Sequence, residues 1–467
     1  MNVVLLGVLA YVLLQLVFGF WVSRRVKTES DYLLAGRKLG YSLAIFSIFG
    51  TWFGAETCIG TAGVAYDEGL AGVTADPFGY SLCLVLMGLL LAVPFWKRGI
   101  TTIADLVRQR FSIRAERLAA LIIAPTSVIW AGAQIRAFGQ VLSSVSDLTL
   151  TAAILVATTV VIVYTVSGGL LADAMTDFLQ GGVLIIGLIV LAIVIVADVG
   201  GVSSLLAVIE PTQLDWVSRE TWQSDWAALG IIESWAVPIC GSLVAQELVS
   251  RVVASRSPQV AKRSSLVAGG MYLLIGLIPL TLGLAGPALV PGLEHSEQIL
   301  PRLAGEHLPT VLYIVFAGAL VSAILSTVDS ALLAATALIS HNVVIPFRPQ
   351  MSEANKVRIE RWGVVVFGVC ALLLALGSEG IYNLVEYASA FGSSGVLVVI
   401  LFALFTRLGR EGSAIATLVT GALSYSLAEH FFHLPYSYTF SLAASVVVYL
   451  LFAWVQRAQP LPAAAME

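Results

Sequence analysis

Charge is what this sequence has least of. Of 467 residues only 12% are charged, against 58% hydrophobic. A soluble domain carries about 25% charged residues, so this chain cannot clothe a water-exposed surface of its own size. Soluble enzymes, nucleic-acid binders and disordered proteins are excluded together. Cysteine is scarce too: Cys58, Cys83, Cys240 and Cys370 all sit inside apolar stretches, with neither metal spacing nor a disulfide framework. His295 and His307 stand near Glu294, Glu297 and Glu306, but without the fixed spacing of a metal site. The period-two alternation of a barrel is missing as well, which leaves helices to satisfy the backbone in lipid. What remains is an all-α polytopic membrane protein.

Apolar runs long enough to cross ~30 Å of hydrocarbon, roughly 17 residues at 1.5 Å each, lie near 2–23, 40–66, 72–96, 118–142, 149–167, 174–197, 226–250, 264–289, 309–342, 361–378, 380–405, 411–428 and 437–456. They predict about thirteen transmembrane helices. The first lacks the basic flank of a cleaved signal and is expected as a retained helix. An odd number of spans puts the termini on opposite sides. With the N-terminus outside, every Lys and Arg from Arg24 and Arg25 to Arg457 falls in an inner loop, save Arg219 and Arg302 outside and Arg136 within a span. That bias predicts an integral plasma (inner) membrane protein with its C-terminus cytoplasmic.

Two spans break the rules of a membrane helix. One carries Gly50-Thr51-Trp52-Phe53-Gly54-Ala55-Glu56-Thr57, with two glycines and a carboxylate at mid-depth. The other carries Pro238-Ile239-Cys240-Gly241-Ser242, where proline removes a donor and glycine loosens the turn. Freed backbone at membrane depth is tolerated only against protein or a watery cavity. The first break opens a group of five spans over 40–198; the second opens five more over 226–406, in opposite orientation. Residues 1–39 are an extra helix and loop, 199–225 an outer loop, and 407–467 two further helices and a tail. Interrupted helices at matching places predict an inverted-repeat transporter with a midplane site.

A third feature is Ser322-Ala323-Ile324-Leu325-Ser326-Thr327-Val328-Asp329-Ser330. Hydroxyls followed by a carboxylate are costly against lipid and should face inward. They serve either as glue between helices or as oxygen ligands for an alkali cation, completed by carbonyls freed at a break. Glu56, Arg136, Asp177, Glu233, Glu247, Asp329 and Glu386 are expected to be buried, with Asp76, Asp173 and Asp198 nearer helix ends. Arg136 calls for an anion: Glu56, another acid, or a substrate carboxylate.

At this point the residues resemble the sodium:solute symporter family, which includes bacterial sodium–proline and sodium–galactose transporters and choline transporters. The likeness runs from about residue 30 to 410. It rests on Asp31-Tyr32-Leu33-Leu34-Ala35-Gly36-Arg37, Thr51 to Thr57, Ser167-Gly168-Gly169-Leu170 with Thr176-Asp177 and Gln180, Gln246 to Arg251 with Ser255, and Ser322 to Ser330. The resemblance implies a LeuT-type fold of five-plus-five inverted repeats and import driven by the sodium gradient. It places sodium on the carbonyls of Gly50, Phe53 and Ala323 and the hydroxyls of Ser326 and Thr327, with Asp177 along the inner sodium path. It places solute between the breaks, near Trp52, Glu56, Thr57, Gln134, Arg136, Pro238, Gly241 and Ser242. Trp52 stands where the proline transporters have an aspartate, and the stretch Pro238 to Gly241 lacks the polar set of the sugar transporters. Both departures point toward the choline-like and uncharacterised bacterial branches. Trp52, Trp130 and Trp235 offer aromatic faces to a quaternary amine, against which a zwitterion or carboxylate competes through Arg136.

The expected partners are a small solute and the bilayer, with sodium as co-substrate, no nucleic acid and no obligate protein partner. The rival readings are a proton-coupled symporter and a solute sensor on a transporter fold. An intramembrane enzyme finds no nucleophile–base pair and no zinc motif here.

Overall fold

Long apolar stretches leave the backbone one way to satisfy itself in lipid, the helix, and helix is what each run forms. A computed structural model describes residues 3–457 apart from 24, 25, 145, 147, 349 and 379. Arg24 and Arg25 of the basic inner set, and the side chain of Ser167, lie outside the described residues. Among the described residues there is no strand; Leu39 and Ser255 form one isolated bridge. Nine helical stretches there are long and apolar enough to cross a membrane. Tyr41–Trp52 and Leu150–Val166 fall short because each belongs to a longer path that bends. The second bend is at Gly169, whose φ of 60° suits glycine.

The first expected interruption is present. Helix Tyr41–Trp52 stops at Phe53 (φ −86°, ψ 74°), a widened turn follows over Glu56–Gly60, and the path resumes as Thr61–Glu68. The second differs from expectation in place. Pro238 lies in a widened turn, Val237–Gly241, and a tight turn, Ser242–Val244, continues it. The chain leaves the helical path only at Ala245 (φ −63°, ψ 128°), before Gln246–Ala254. One missing N–H at Pro238 is absorbed by widening a single turn rather than by unwinding.

Two departures were not anticipated. Asp76, expected near a helix end, adopts φ −131°, ψ 121° inside the turn Thr74–Gly79 and is fully buried. Near the far end of the chain, Phe391 (ψ 119°) and Gly392 (φ 68°) split Ile381–Ala390 from Ser393–Phe405.

At the centre stands Thr310–Ile339, buried without interruption from Phe316 to Leu338. A helix covered all round is a core element, and it packs against Ile113–Ser144, Leu150–Asp198 and Val3–Ser23. Helices Glu411–His430 and Ser437–Arg457 pack on each other and on Ser393–Phe405 at the periphery.

Polar ties close the end predicted to be cytoplasmic. Short helix Glu29–Leu34 starts with a capping box, Thr28 Oγ1 accepting from the Asp31 N–H at 3.1 Å and Asp31 Oδ2 from the Thr28 N–H at 3.1 Å. Glu29 meets His341 Nδ1 at 2.5 Å and Lys356 Nζ at 3.2 Å, and His341 Nε2 lies 3.4 Å from Asp105 of helix Ile103–Arg110. Burial pushes Glu29 and Asp105 up. Hydrogen bonds and charge from His341, joined at Glu29 by Lys356, outweigh it and hold both carboxyls below the ordinary carboxylate range.

Candidate functional site

The break at Phe53 faces the hydroxyl run of the central helix. Thr327 Oγ1 lies 3.2 Å from the Gly50 carbonyl and 3.1 Å from the Ala323 carbonyl. Ser326 Oγ donates to Asp177 Oδ1, and Ser47 Oγ donates to Asp177 Oδ2 at 2.8 Å. So five of the six residues expected around sodium, Gly50, Ala323, Ser326, Thr327 and Asp177, are joined by direct contacts. Phe53 is the residue at which the helix opens. A side chain at either glycine of the break would make its neighbours shift. A Cβ on Gly50 would stand 2.9 Å from Ser326 Oγ, and one on Gly54 2.6 Å from both Thr327 Oγ1 and Glu56 Oε2. Neutral oxygens of two helices thus converge at the break, the donor type that suits a hard monovalent cation.

On the other side of the break lies Glu56, 1% exposed. Its partner is Gln134, not Arg136. Gln134 Nε2 donates to Glu56 Oε2 at 2.5 Å, while Gln134 Oε1 accepts the Ala55 N–H at 3.0 Å. The amide therefore holds both the carboxylate and the freed backbone. Arg136, two positions on, points elsewhere: its Nη1 donates to the Ala375 carbonyl at 3.3 Å. It lines a cavity of 790 Å³ with Gln140, His295, Glu297 and Arg302. Gln140 Nε2 donates to Glu297 Oε2 at 2.8 Å in that cavity wall.

Thr57 turns away from Glu56 toward residues that sequence reasoning did not select. Its hydroxyl donates to Asp76 Oδ2 at 2.7 Å and lies 2.6 Å from the Tyr272 hydroxyl. Tyr272 in turn donates to Asp76 Oδ2 at 3.0 Å. The one available signal was Asp76-Pro77 itself, a carboxylate beside a helix breaker within an apolar run.

Trp52 and Trp130 meet edge to face with centroids 4.9 Å apart. Trp130 also lines a small cavity with Gly241, Ser242, Glu247 and Ser389. Through it the expected solute residues of the two halves approach each other. Gly241 packs directly on the Ser389 carbonyl, and Ser242 Oγ is 3.4 Å from Ser389 Oγ. Pro238 abuts Gly79, where a Cβ would come within 2.5 Å of the proline ring. Trp235 is part-buried in Ala227–Ala236 and takes no part in the Trp52–Trp130 pair.

Below the Thr327 contact lies a second buried network. Arg251, 1% exposed, pairs with Asp173 and donates to Ser330, and Thr165 donates to Asp329. Ser330 also reaches Thr51 at 3.2 Å. Within the motif Gln246 to Arg251, the Arg251 guanidinium fastens Leu150–Asp198 to the central helix. Gln246 Oε1 accepts the Ile103 N–H at 2.8 Å and ties the same segment to the start of helix Ile103–Arg110.

A model of the sodium:solute symporter family matches residues 32–421. High-affinity choline transporter 1 of Drosophila melanogaster is 28% identical over 85% of this chain, which spans 65% of that relative's length. The human high affinity choline transporter 1 is 27% identical, covering 89% of this chain and 75% of its own. The high-affinity proline transporter PutP of Bacillus subtilis (strain 168) is 27% identical, covering 87% and 88%. Among solved structures, a Na+-coupled sialic acid symporter superposes with a TM-score of 0.82 at 18% identity over 96% of both chains. Mhp1, a nucleobase-cation-symport-1 family transporter, gives 0.62 at 16% identity over 94% of this chain and 98% of its own. Both neighbours share the LeuT-type fold, so the expected fold class holds.

Proposed function

The chain belongs to the sodium:solute symporter family, and on that premise we propose that it is a sodium-coupled symporter importing a small polar organic solute by alternating access. Its relatives are transporters, not enzymes. The observation that carries the reading is the 3.2 Å approach of Thr327 Oγ1 to the Gly50 carbonyl. Sodium is held there by the carbonyls of Gly50, Phe53 and Ala323 and the hydroxyls of Ser326 and Thr327. Asp177 lines its inner path. The ion joins the broken first core helix to the central helix and favours the state that receives solute. Coupling equals the difference in sodium affinity between the two states, no more.

Solute sits between the repeats, residues 40–198 and 226–406, against Trp52, Glu56, Thr57 and Gln134 on one side and Pro238, Gly241 and Ser242 on the other. Arg136 guards the outer approach. The N-terminus faces outward and the C-terminus the cytoplasm. Choline and proline, the substrates named for the relatives, both carry a positively charged nitrogen. The Trp52–Trp130 corner and the Glu56 carboxylate suit such a group, because ring faces and a carboxylate both attract a cation. The solute is therefore read as an ammonium compound or zwitterion.

The test is uptake into proteoliposomes under an imposed sodium gradient, with labelled choline and proline as probes. Wild type should accumulate at least one of them, and collapse of the gradient should abolish accumulation. Thr327→Ala, checked for normal folding, should lose the sodium dependence. Accumulation that follows a proton gradient and ignores sodium would overturn the reading.

A further inference from the structure

Asp76 has no place in the sodium and solute sets described above, yet it is among the most deeply buried acids in the chain, with 0% exposure. Both hydroxyl donors, Thr57 and Tyr272, bond the same oxygen, Oδ2. The other, Oδ1, is buried and makes no hydrogen bond, the nearby Thr61 hydroxyl donating instead to the Glu56 carbonyl at 3.1 Å. Among the described residues no Lys, Arg or His forms an ion pair with Asp76 or with Glu56 across the break. A buried carboxylate oxygen left bare asks for an explanation, and an uncompensated buried charge is strongly unfavourable.

The surroundings supply one. Asp76 sits where the second core helix departs from helical geometry, opposite the widened turn Glu56–Gly60 of the first. Such turns expose backbone oxygens and recur at functional sites. Thr57 Oγ1, the Tyr272 hydroxyl and Asp76 Oδ1 are all oxygens, the donor type of a hard cation. Phe53 stacks edge-on against Tyr272 with centroids 5.3 Å apart, so the ring that bears the hydroxyl is held by the residue at the break itself. The Thr327–Gly50 contact lies at the other face of that break.

We propose that Asp76, with Thr57 and Tyr272, forms a second sodium site, separate from the one at Thr327 and placed between the first, second and seventh core helices (residues 41–68, residues 74–98 and Pro258–Leu289). The inference rests on the sodium-coupled reading and adds to it. Sodium entering at Oδ1 neutralises Asp76 and fastens the broken helix to Pro258–Leu289, while the Thr327 ion fastens it to Thr310–Ile339. Two ions thus brace one break from opposite sides, and the driving force per solute rises accordingly.

The test is equilibrium binding of radioactive sodium to the purified full chain, with no solute present. Wild type should bind two ions. Thr327→Ala should keep one, Asp76→Asn should keep one, and the double variant none. Tyr272→Phe, which keeps the ring that packs on Phe53, should weaken only the Asp76-dependent ion, by about tenfold. Asp76→Asn is nearly isosteric and removes a buried charge, so its melting point in potassium should equal or exceed that of wild type. Two ions bound by Asp76→Asn overturn the proposal. A single wild-type ion, lost in Thr327→Ala and untouched in Asp76→Asn, overturns it while leaving sodium coupling intact. Competitive displacement of the Asp76-dependent ion by choline or proline would assign Asp76 to the solute's ammonium group and equally overturn it. No sodium binding at all would defeat the coupled reading first, and this inference with it.

Discussion

A single amide holds the first break open in a defined shape. Gln134 gives its two ends to Glu56 and to the Ala55 N–H, so replacing it by leucine strands two buried groups at once. Each stranded group costs about 1–3 kcal/mol. Gln134→Leu is expected to lower thermal stability in detergent by a sum of that order and to weaken solute binding. A melting point equal to wild type would show that the amide is not under this load. Gly54 makes a sharper case. A methyl group at Gly54 would press on Thr327 Oγ1 at 2.6 Å, on the very hydroxyl read as a sodium ligand. Gly54→Ala should reduce sodium affinity at least about tenfold, or 1.4 kcal/mol, measured by sodium titration of the melting curve. An unchanged titration would move the ion elsewhere.

At the scale of elements, a polar tie joins four pieces of chain through Glu29, His341, Asp105 and Lys356. Its response to pH has a definite sign. Glu29 and Asp105 have folded-state pKa values below their unfolded ones. Their stabilising contribution is therefore complete above the unfolded values, about 4, and is lost as pH falls through the folded values. Melting points of wild type and Glu29→Gln should differ near neutral pH and converge in acid below about pH 4. A gap that widened in acid would reverse the assignment. The second interruption belongs to this scale as well. A proline in a membrane helix reads as a break in sequence, yet the helical path carries on through a wide and a tight turn to Ala245. The neighbouring Gly79 and Ser389, which the Pro238 ring and Gly241 abut, hold those turns in place.

For the whole molecule, the central question is which helices an ion joins. Sodium at 100 times its dissociation constant should stabilise the folded chain by about 2.7 kcal/mol. That shift should appear in sodium and not in potassium, shrink in Thr327→Ala and vanish when Thr327→Ala is combined with Asp76→Asn. A shift undiminished in Thr327→Ala would place the ion outside the contact between Gly50 and the central helix. The stabilisation is a property of the assembled halves, because Gly50 and Thr327 are 277 residues apart in sequence.

What the sequence determined by itself follows from solvent and local chain chemistry. Too little charge for a water-exposed surface dictated lipid, and lipid dictated helices. The paired glycines at Gly50 and Gly54 marked the first break, and hydroxyls at Ser326 and Thr327 marked a polar face on a helix that had to be buried. Each is a property of one segment in its medium. What only the tertiary structure decided is which side chains meet. Successive helical residues are turned by about 100°, so Gln134 faces Glu56 while Arg136, two residues on, faces the cavity it lines with Gln140 and Glu297. Likewise Asp76 looked like a residue near a helix end until Thr57 and Tyr272, from two other helices, closed around one of its oxygens. Hydropathy fixes how deep a residue lies; helix rotation and packing fix what it touches, and those are settled only when all the helices are in place.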